Sequence, residues 1–257
     1  MLESIKKAIA GLEKNGAKRK NFVLVSGVGC HAKIADYINI NTFYGLHGRT
    51  IPVAEGIKIG NPNLKVICSS GDGDSYSEGI SHLIHAAKRN SDITVIIHDN
   101  QNFALTVKQF TLTSPKGFEG SSTPGGSIEE PLNPLELMMS SGATFIARGY
   151  AGKQGQLAGI IKEGINHEGF SFIEVLQPCV AWFNTFEKYN KRVYEAEIKD
   201  KASRREALSL IGEWDYKDGG KIPTGIFYKT WKAPFEKTLL AGNKKRADAK
   251  KLLENHA

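Results

Sequence analysis

Two short stretches hold residue types that bind charge where a strand ends. Gly71-Asp72-Gly73-Asp74 stands between a β-branched run and a segment of helical period, so backbone N–H groups and a helix N-terminus meet there. Such a place favours an anion such as phosphate. Two aspartates in one turn repel a bare diphosphate, so a divalent cation has to stand between them. Mg²⁺ meets that need: it takes hard oxygen ligands, commonly a carboxylate, a carbonyl or two, and phosphate oxygens. A second polar tip, Asp99-Asn100-Gln101-Asn102, follows the next strand-like run, and Asn100 lies 28 positions after Asp72. One helix and one strand fill that interval, so adjacent parallel strands bring both side chains to one mouth. Helix capping by Asp72 or Asp74 explains neither Asn100 nor the spacing. Other candidates are weaker. His82 and His85 lie three apart on a helix with no third ligand, and read as surface or packing residues. Gly152, Gly155 and Gly159 read as a helix start, and Cys68 as mid-strand core.

The elements that must position these tips follow from hydrophobic period. Residues 21–27, 64–70, 92–99, 143–148 and 170–176 are short β-branched runs with apolar residues at successive positions, the pattern of strands buried on both faces. Residues 31–38, 52–60, 77–90, 134–141 and 153–167 have helical period; in 77–90 the apolar residues Ile80, Leu83, Ile84 and Ala87 recur three and four apart. Alternation of strand and helix predicts an α/β fold with a doubly wound, mostly parallel sheet. Ligands bind beyond the carboxyl ends of such strands, which puts residues 26–31, 71–77 and 99–106 at one mouth. Residues 111–134, rich in Ser, Thr, Gly and Pro, are too long for an ordinary connection and suggest a lid or interface segment. The chain from Phe186 onward is charged and then carries Gly219, Gly220, Pro223 and Gly225, as expected of a segment wrapping a partner or the sheet edge.

Composition narrows the class. With 257 residues, 40% of them hydrophobic, the chain can fill a sizeable core, and disorder is excluded. No stretch approaches the ~20 apolar residues of a membrane-spanning helix. Residues 1–15 are amphipathic, unlike a signal peptide, and three scattered cysteines suit a reducing compartment, so a cytoplasmic location is expected. The net charge of +7 sits largely in the last third, including a run from Lys244 to Lys251 that carries no aromatic residue to stack a base. Neither nucleic acid nor membrane is an expected partner; an acidic surface or an anionic ligand is.

Gly-Asp-Gly, about twenty-six residues, then Asn resembles the motif of thiamine diphosphate enzymes. The wider set of SGVGCHAKI (26–34), LHGRTIPVAEGIKIGNP (46–62), GDGDSYSEGISHLIHAAKRN (71–90), DNQNFALTVKQFTLTSP (99–115) and LQPCV (176–180) resembles the β subunit of the 2-oxoacid:ferredoxin oxidoreductases. The likeness covers most of residues 21–178 in order, and more weakly 222–228. It implies a thiamine diphosphate-binding domain over residues 1–185, with 186–257 an extension on the sheet edge or a partner. It also implies that Asp72, Asn100 and the main-chain carbonyl of Asn102 hold Mg²⁺, and that Gly73, Asp74, Ala104 and Leu105 flank the diphosphate. Val28, Gly29, Cys30 and His31, with His47, Gly48 and Arg49, would line the rest of the cofactor site. His47 and Arg49 are the implied contacts to phosphate or substrate carboxylate. The implied reaction is oxidative decarboxylation of a 2-oxoacid with coenzyme A to acyl-CoA and CO₂, electrons passing through a 4Fe-4S cluster to ferredoxin. The carboxylate that activates the pyrimidine ring is expected on an α subunit, whose contribution to the pocket leaves the identity of the 2-oxoacid open.

The sequence departs from the family pattern in three places. Phe103-Ala104-Leu105-Thr106 replaces Tyr-Gly-Leu-Thr, and Val107-Lys108 stands where glycine is common before Gln109. Of the four cluster cysteines, Cys30 and Cys179 have counterparts, and the C-x-x-C pair expected before the first helix does not. Two thiolates do not complete a four-cysteine site. The expectation is that Met1 is an internal start or the product is truncated; the alternatives are a cluster-free thiamine-dependent decarboxylase subunit or a non-catalytic partner that keeps the fold.

Overall fold

A computed structural model describes residues 1–217 and 219–242. Its centre is an eight-stranded sheet. The strands are β1 (Phe22–Ser26), β2 (Asn41–Tyr44), β3 (Lys65–Gly71), β4 (Ile93–Asp99), β5 (Phe145–Tyr150), β6 (Ser171–Leu176), β7 (Val193–Glu195) and β8 (Ile222–Lys229). Their order across the sheet is β2-β1-β3-β4-β6-β5-β8-β7. Every pairing is parallel except β5 with β8, which is antiparallel.

Helices α1 (Leu2–Lys14), α2 (Thr50–Gly60), α3 (Ile80–Arg89), α4 (Pro134–Ser141), α5 (Gln154–Asn166), α6 (Phe186–Arg192), α7 (Arg204–Ile211) and α8 (Phe235–Gly242) complete the domain. Alternate residues of the central strands point to opposite faces. Val23, Val25, Val66, Val95 and Ile97 pack with α2, α3, α4 and α7, whereas Phe22, Leu24, Ile67 and Ile96 pack with α1 and α5. Both faces are thus covered, which is why these strands read as unbroken apolar runs. Among the described residues no helix is long and apolar enough to cross a membrane. The basic run 244–251 lies outside them.

The five strands expected from hydrophobic period are present, but two expected helices differ. Residues 30–36 form a 3-10 helix, and the segment expected as one helix over 77–90 is a π-helix (Gly73–Glu78) followed by α3. The break falls where the β2–α2 loop crosses. Gly48, at φ +70°, packs so closely that a Cβ there would stand 2.8 Å from Glu78 Cβ. At its far end α3 stops at Asn90, whose backbone is left-handed. The buried Asn90 carboxamide accepts from the Thr144 hydroxyl (2.7 Å) and the Phe170 N–H (2.9 Å) and donates to the Lys232 carbonyl (2.8 Å). One side chain therefore ties α3 to β5, β6 and the C-terminal segment.

That C-terminal segment is part of the sheet. β8 lies against β5, and Ala207 and Ile211 of α7 enter the core beside α4. Between β5 and β6, the fully buried Arg148 donates to Glu174 Oε2 at 2.7 Å, and its guanidinium lies over Trp214 at 4.9 Å. Tyr216 binds both partners through its hydroxyl. Removing one member of a buried ion pair strands the other. Arg148→Met is expected to lower unfolding free energy by roughly 3–5 kcal/mol. The double variant Arg148→Met, Glu174→Gln should recover part of that loss in denaturant titrations; no recovery would show that stranded charge is not the cause.

Candidate active site

The carboxyl ends of β1, β3, β4 and β6 open onto one cleft. Residues 28–31 after β1, residues 71–74 after β3, Asn100 and residues 102–106 after β4, and Gln177 after β6 line it, together with His47 and His98. The sequence therefore places Asp72 and Asn100 where the spacing requires, on neighbouring strand tips in register.

Asp72 is the buried charge of the cleft, 2% exposed. Its Oδ2 accepts the Thr111 hydroxyl at 2.7 Å. Burial nonetheless pushes its carboxyl up to about 7, against the smaller opposing effect of that hydroxyl and of the backbone N–H groups of Asp72, Asn100 and Gly73. Asp99, fully buried beside it, is pushed up by burial and then by the charge of Asp72. A carboxylate so placed gains most from a cation. The Asn100 Oδ1 accepts the Asn102 N–H at 3.2 Å, and the Asn102 side chain returns a bond to the Asn100 carbonyl at 2.8 Å. Among the described residues no donor reaches the Asn102 main-chain carbonyl. One carboxylate, one amide oxygen and one free carbonyl thus belong to residues lining one cleft, a hard-oxygen donor set of the kind Mg²⁺ takes alongside phosphate and water. No group of three His, Cys, Asp or Glu side chains forms a metal centre among the described residues.

The tip is held from behind. Gln101 is left-handed at φ +58°; its amide donates to the Thr113 carbonyl at 2.6 Å and accepts the Tyr189 hydroxyl at 2.9 Å. Asp99 Oδ1 accepts from both the Gln101 N–H and the Thr113 hydroxyl at 2.9 Å, and the Ser114 hydroxyl donates to the Gln101 carbonyl. The Ser/Thr-rich stretch, expected as a lid or interface segment, begins with residues that clamp the β4 tip.

Asp74 also lines the cleft and braces its wall. Its carboxylate accepts the Gly48 N–H (2.6 Å), the Thr50 hydroxyl (3.0 Å) and the Ser70 hydroxyl, and a Cβ on Gly27 would strike it at 2.1 Å. It anchors the loop that carries His47, whose Nε2 lies 4.0 Å away. Gly48 serves through its N–H, and Arg49 is exposed at the head of α2, pairing with His82 Nε2 at 2.6 Å without lining the cleft. His31 and His98 are buried and, chiefly through that burial, pushed down to about 3, so both rings are neutral. His31 Nε2 has no hydrogen-bond partner. In the loop over the cleft, Val107 and Lys108 are both left-handed, and Lys108 N–H closes onto the Phe103 carbonyl. Cys30 stands at the cleft rim near Cys179: burial, then the neighbouring Cys179 thiol, pushes its thiol up. Both are free, as is the buried Cys68. Thr111 and Gln177 lie inside the blocks that carry the resemblance but have no role assigned to them there, and His98, within β4, has no motif of its own; their hydrogen bonds at the strand tips are what mark them.

The sheet order and the donor set at the β3 and β4 tips define the diphosphate-binding domain of a thiamine enzyme. Residues 27–175 match the family described as thiamine pyrophosphate enzyme, C-terminal TPP binding domain, and residues 179–243 match the family described as the C terminal of the pyruvate ferredoxin oxidoreductase beta subunit. The chain belongs to the β subunits of the 2-oxoacid:ferredoxin oxidoreductases. It is 40% identical to the 2-oxoacid:ferredoxin oxidoreductase subunit beta of Sulfolobus sp, covering 93% of this chain and 84% of that one. Identity to the 2-oxoglutarate synthase subunit KorB of Methanothermobacter thermautotrophicus is 38%, over 84% and 76% of the two chains. The solved 2-oxoglutarate:ferredoxin oxidoreductase from Magnetococcus marinus, with 2-oxoglutarate, coenzyme A and succinyl-CoA bound, superposes with a TM-score of 0.89 at 30% identity, over 100% of this chain and 88% of that one.

Asp74→Ala leaves three donors without their acceptor. The variant is expected to lose about 2–4 kcal/mol of stability and to raise amide exchange across residues 45–50. Unchanged exchange there would show that Asp74 does not hold the loop.

Proposed function

We propose that the cleft holds Mg²⁺ and thiamine diphosphate, and that with an α subunit the chain oxidatively decarboxylates a 2-oxoacid with coenzyme A to acyl-CoA and CO₂, ferredoxin taking the electrons. The observation that carries this reading is the meeting of the Asp72 carboxylate, the Asn100 amide and the free Asn102 carbonyl on adjacent strand tips. When bound, thiamine diphosphate supplies the nucleophilic carbon and the electron sink. The protein's share is placement. Asp72, oriented by Thr111, supplies the anionic ligand; Asn100 is turned by the Asn102 N–H; Gly73, Ala104 and Leu105 flank the diphosphate. His47, held over the cleft by the Asp74-anchored loop, is the contact to phosphate or substrate carboxylate, and Arg49, which pairs with His82 outside the cleft lining, would have to turn to join it.

Residues 1–185 are read as the cofactor-binding domain and 186–257 as an extension that continues the sheet beyond β5, in keeping with the β5–β8 pairing. Tyr37, Phe43, Tyr44 and Leu46 are exposed on the approach to His47 and support docking of the α subunit, which brings the pyrimidine-side carboxylate. Cys30 and Cys179 fit half of a 4Fe-4S site; these 257 residues contain no second pair suited to complete it, so no electron-transfer step is derived through this chain alone. Three free thiols agree with a cytoplasmic setting. The names of the relatives make 2-oxoglutarate the first substrate to assay.

Asp72→Ala in the co-expressed complex is expected to abolish Mg²⁺-dependent thiamine diphosphate binding; retained affinity would refute the site. The raised Asp72 carboxyl also sets a pH dependence. The folded, metal-free site keeps a proton up to about pH 7, whereas the unfolded carboxyl loses it near ~3.9. Stability of the metal-free protein should therefore fall as pH rises through that window, and Mg²⁺ should release a proton on binding within it. Calorimetry at about pH 6.5 in buffers of unlike ionisation enthalpy reads that proton; none released means Asp72 is already ionised. Iron content and visible absorbance of anaerobically purified complex separate the oxidoreductase, brown and reducing ferredoxin, from a colourless decarboxylase that releases aldehyde.

A further inference from the structure

Beneath the cleft, three neighbouring strand tips are joined by a side-chain relay that the metal and diphosphate contacts do not use. Ser69 of β3 and His98 of β4 are buried, and Ser69 Oγ lies 3.0 Å from His98 Nε2. His98 Nδ1 lies 2.9 Å from Gln177 Oε1, at the end of β6. An amide oxygen only accepts, so Nδ1 carries the hydrogen, and in the neutral ring Nε2 accepts the Ser69 hydroxyl. Gln177 is fixed a second time through its backbone, whose N–H donates to the Asp99 carbonyl at 2.8 Å. With its oxygen held by His98, the amide stands in the cleft lining, and among the described residues no hydrogen bond runs from its N–H₂. A half-buried, oriented donor without a partner on a cleft wall is a ligand contact in waiting.

The acceptor follows from chemistry. In the proposed site the metal and diphosphate end is taken up by Asp72, Asn100 and Asn102, the aminopyrimidine with its acceptor nitrogens belongs to the α-subunit side, and the thiazolium ring offers no strong acceptor, whereas a 2-oxoacid carries a keto oxygen and a carboxylate. We propose that Gln177 is a substrate-contacting residue whose amide N–H donates to an oxygen of the bound 2-oxoacid, with His98 and Ser69 as positioning residues that hold the amide in that orientation. The inference rests on the proposed thiamine site, since that site locates the reacting end of the cleft. A neutral donor there fixes the substrate without adding charge beside Asp72, and its loss removes one hydrogen bond to a charged or polarised oxygen, a change of about ten- to hundredfold.

The test uses the co-expressed complex with its α subunit, assayed with 2-oxoglutarate and other 2-oxoacids, alongside thiamine diphosphate binding. Gln177→Met keeps the shape and loses the donor; it should raise KM for the 2-oxoacid about tenfold or more with cofactor affinity unchanged. Gln177→Glu still accepts from His98 but opposes the substrate carboxylate, and should do worse. His98→Leu should shift KM in the same direction, and His98→Asn, whose amide can stand where Nδ1 stood, should restore part of it. Unchanged KM and kcat in Gln177→Met overturns the proposal, as does lost cofactor affinity with KM intact, which would give the contact to the cofactor. Failure of both Gln177→Met and Gln177→Asn to assemble assigns Gln177 a structural role and equally overturns it. If the wild-type complex does not bind thiamine diphosphate, the proposed function fails instead.

Discussion

A carboxylate buried at the tip of a central strand carries its charge at a high desolvation cost, and the mouth of this sheet is arranged around that fact. Asp72 has one hydroxyl and a few backbone N–H groups to offset burial, and these do not suffice, since its proton is held to about pH 7. Asp99, buried next to it, sharpens the imbalance. Removing the charge by substitution would be the simple remedy in a structural core. Here Asn100 and Asn102 line the same cleft, and the proposed cation would complete the balance.

The second constraint is positional. The β4 tip is fixed by residues from other segments: Thr113 and Ser114 from the following loop and Tyr189 from α6. The β3 tip is tied through Asp74 to the loop ahead of α2. Each ligand-bearing turn therefore owes its shape to a different later or earlier segment, and the cleft exists only in the assembled domain.

How much of this was legible in the residues follows from the same physics. Strands covered on both faces leave continuous apolar runs, so β1, β3, β4, β5 and β6 can be read directly, and the 28-residue interval from Asp72 to Asn100 announces two adjacent tips. β2 could not be read, because all four of its residues are exposed and no hydrophobic pattern marks them. The pairing of β8 with β5 was hidden too, since nothing local distinguishes an antiparallel edge partner from any other apolar run. Side-chain direction was the least legible: Asp74 and Arg49 belong to segments that reach the mouth, yet one is spent on Gly48, Thr50 and Ser70 and the other on His82. Thr111 touches Asp72 across 39 positions of chain, a distance at which composition gives no hint.

The antiparallel placement of β8 has a consequence for synthesis. As the chain leaves the ribosome, β5 emerges some seventy residues before the strand that covers its outer edge. Until β8 arrives, that edge presents unpaired backbone groups next to a ready apolar surface, the arrangement most prone to recruit a stranger's strand. Among the described strands β8 is the last to be made, so the edge of β5 is closed only when nearly the whole chain is available.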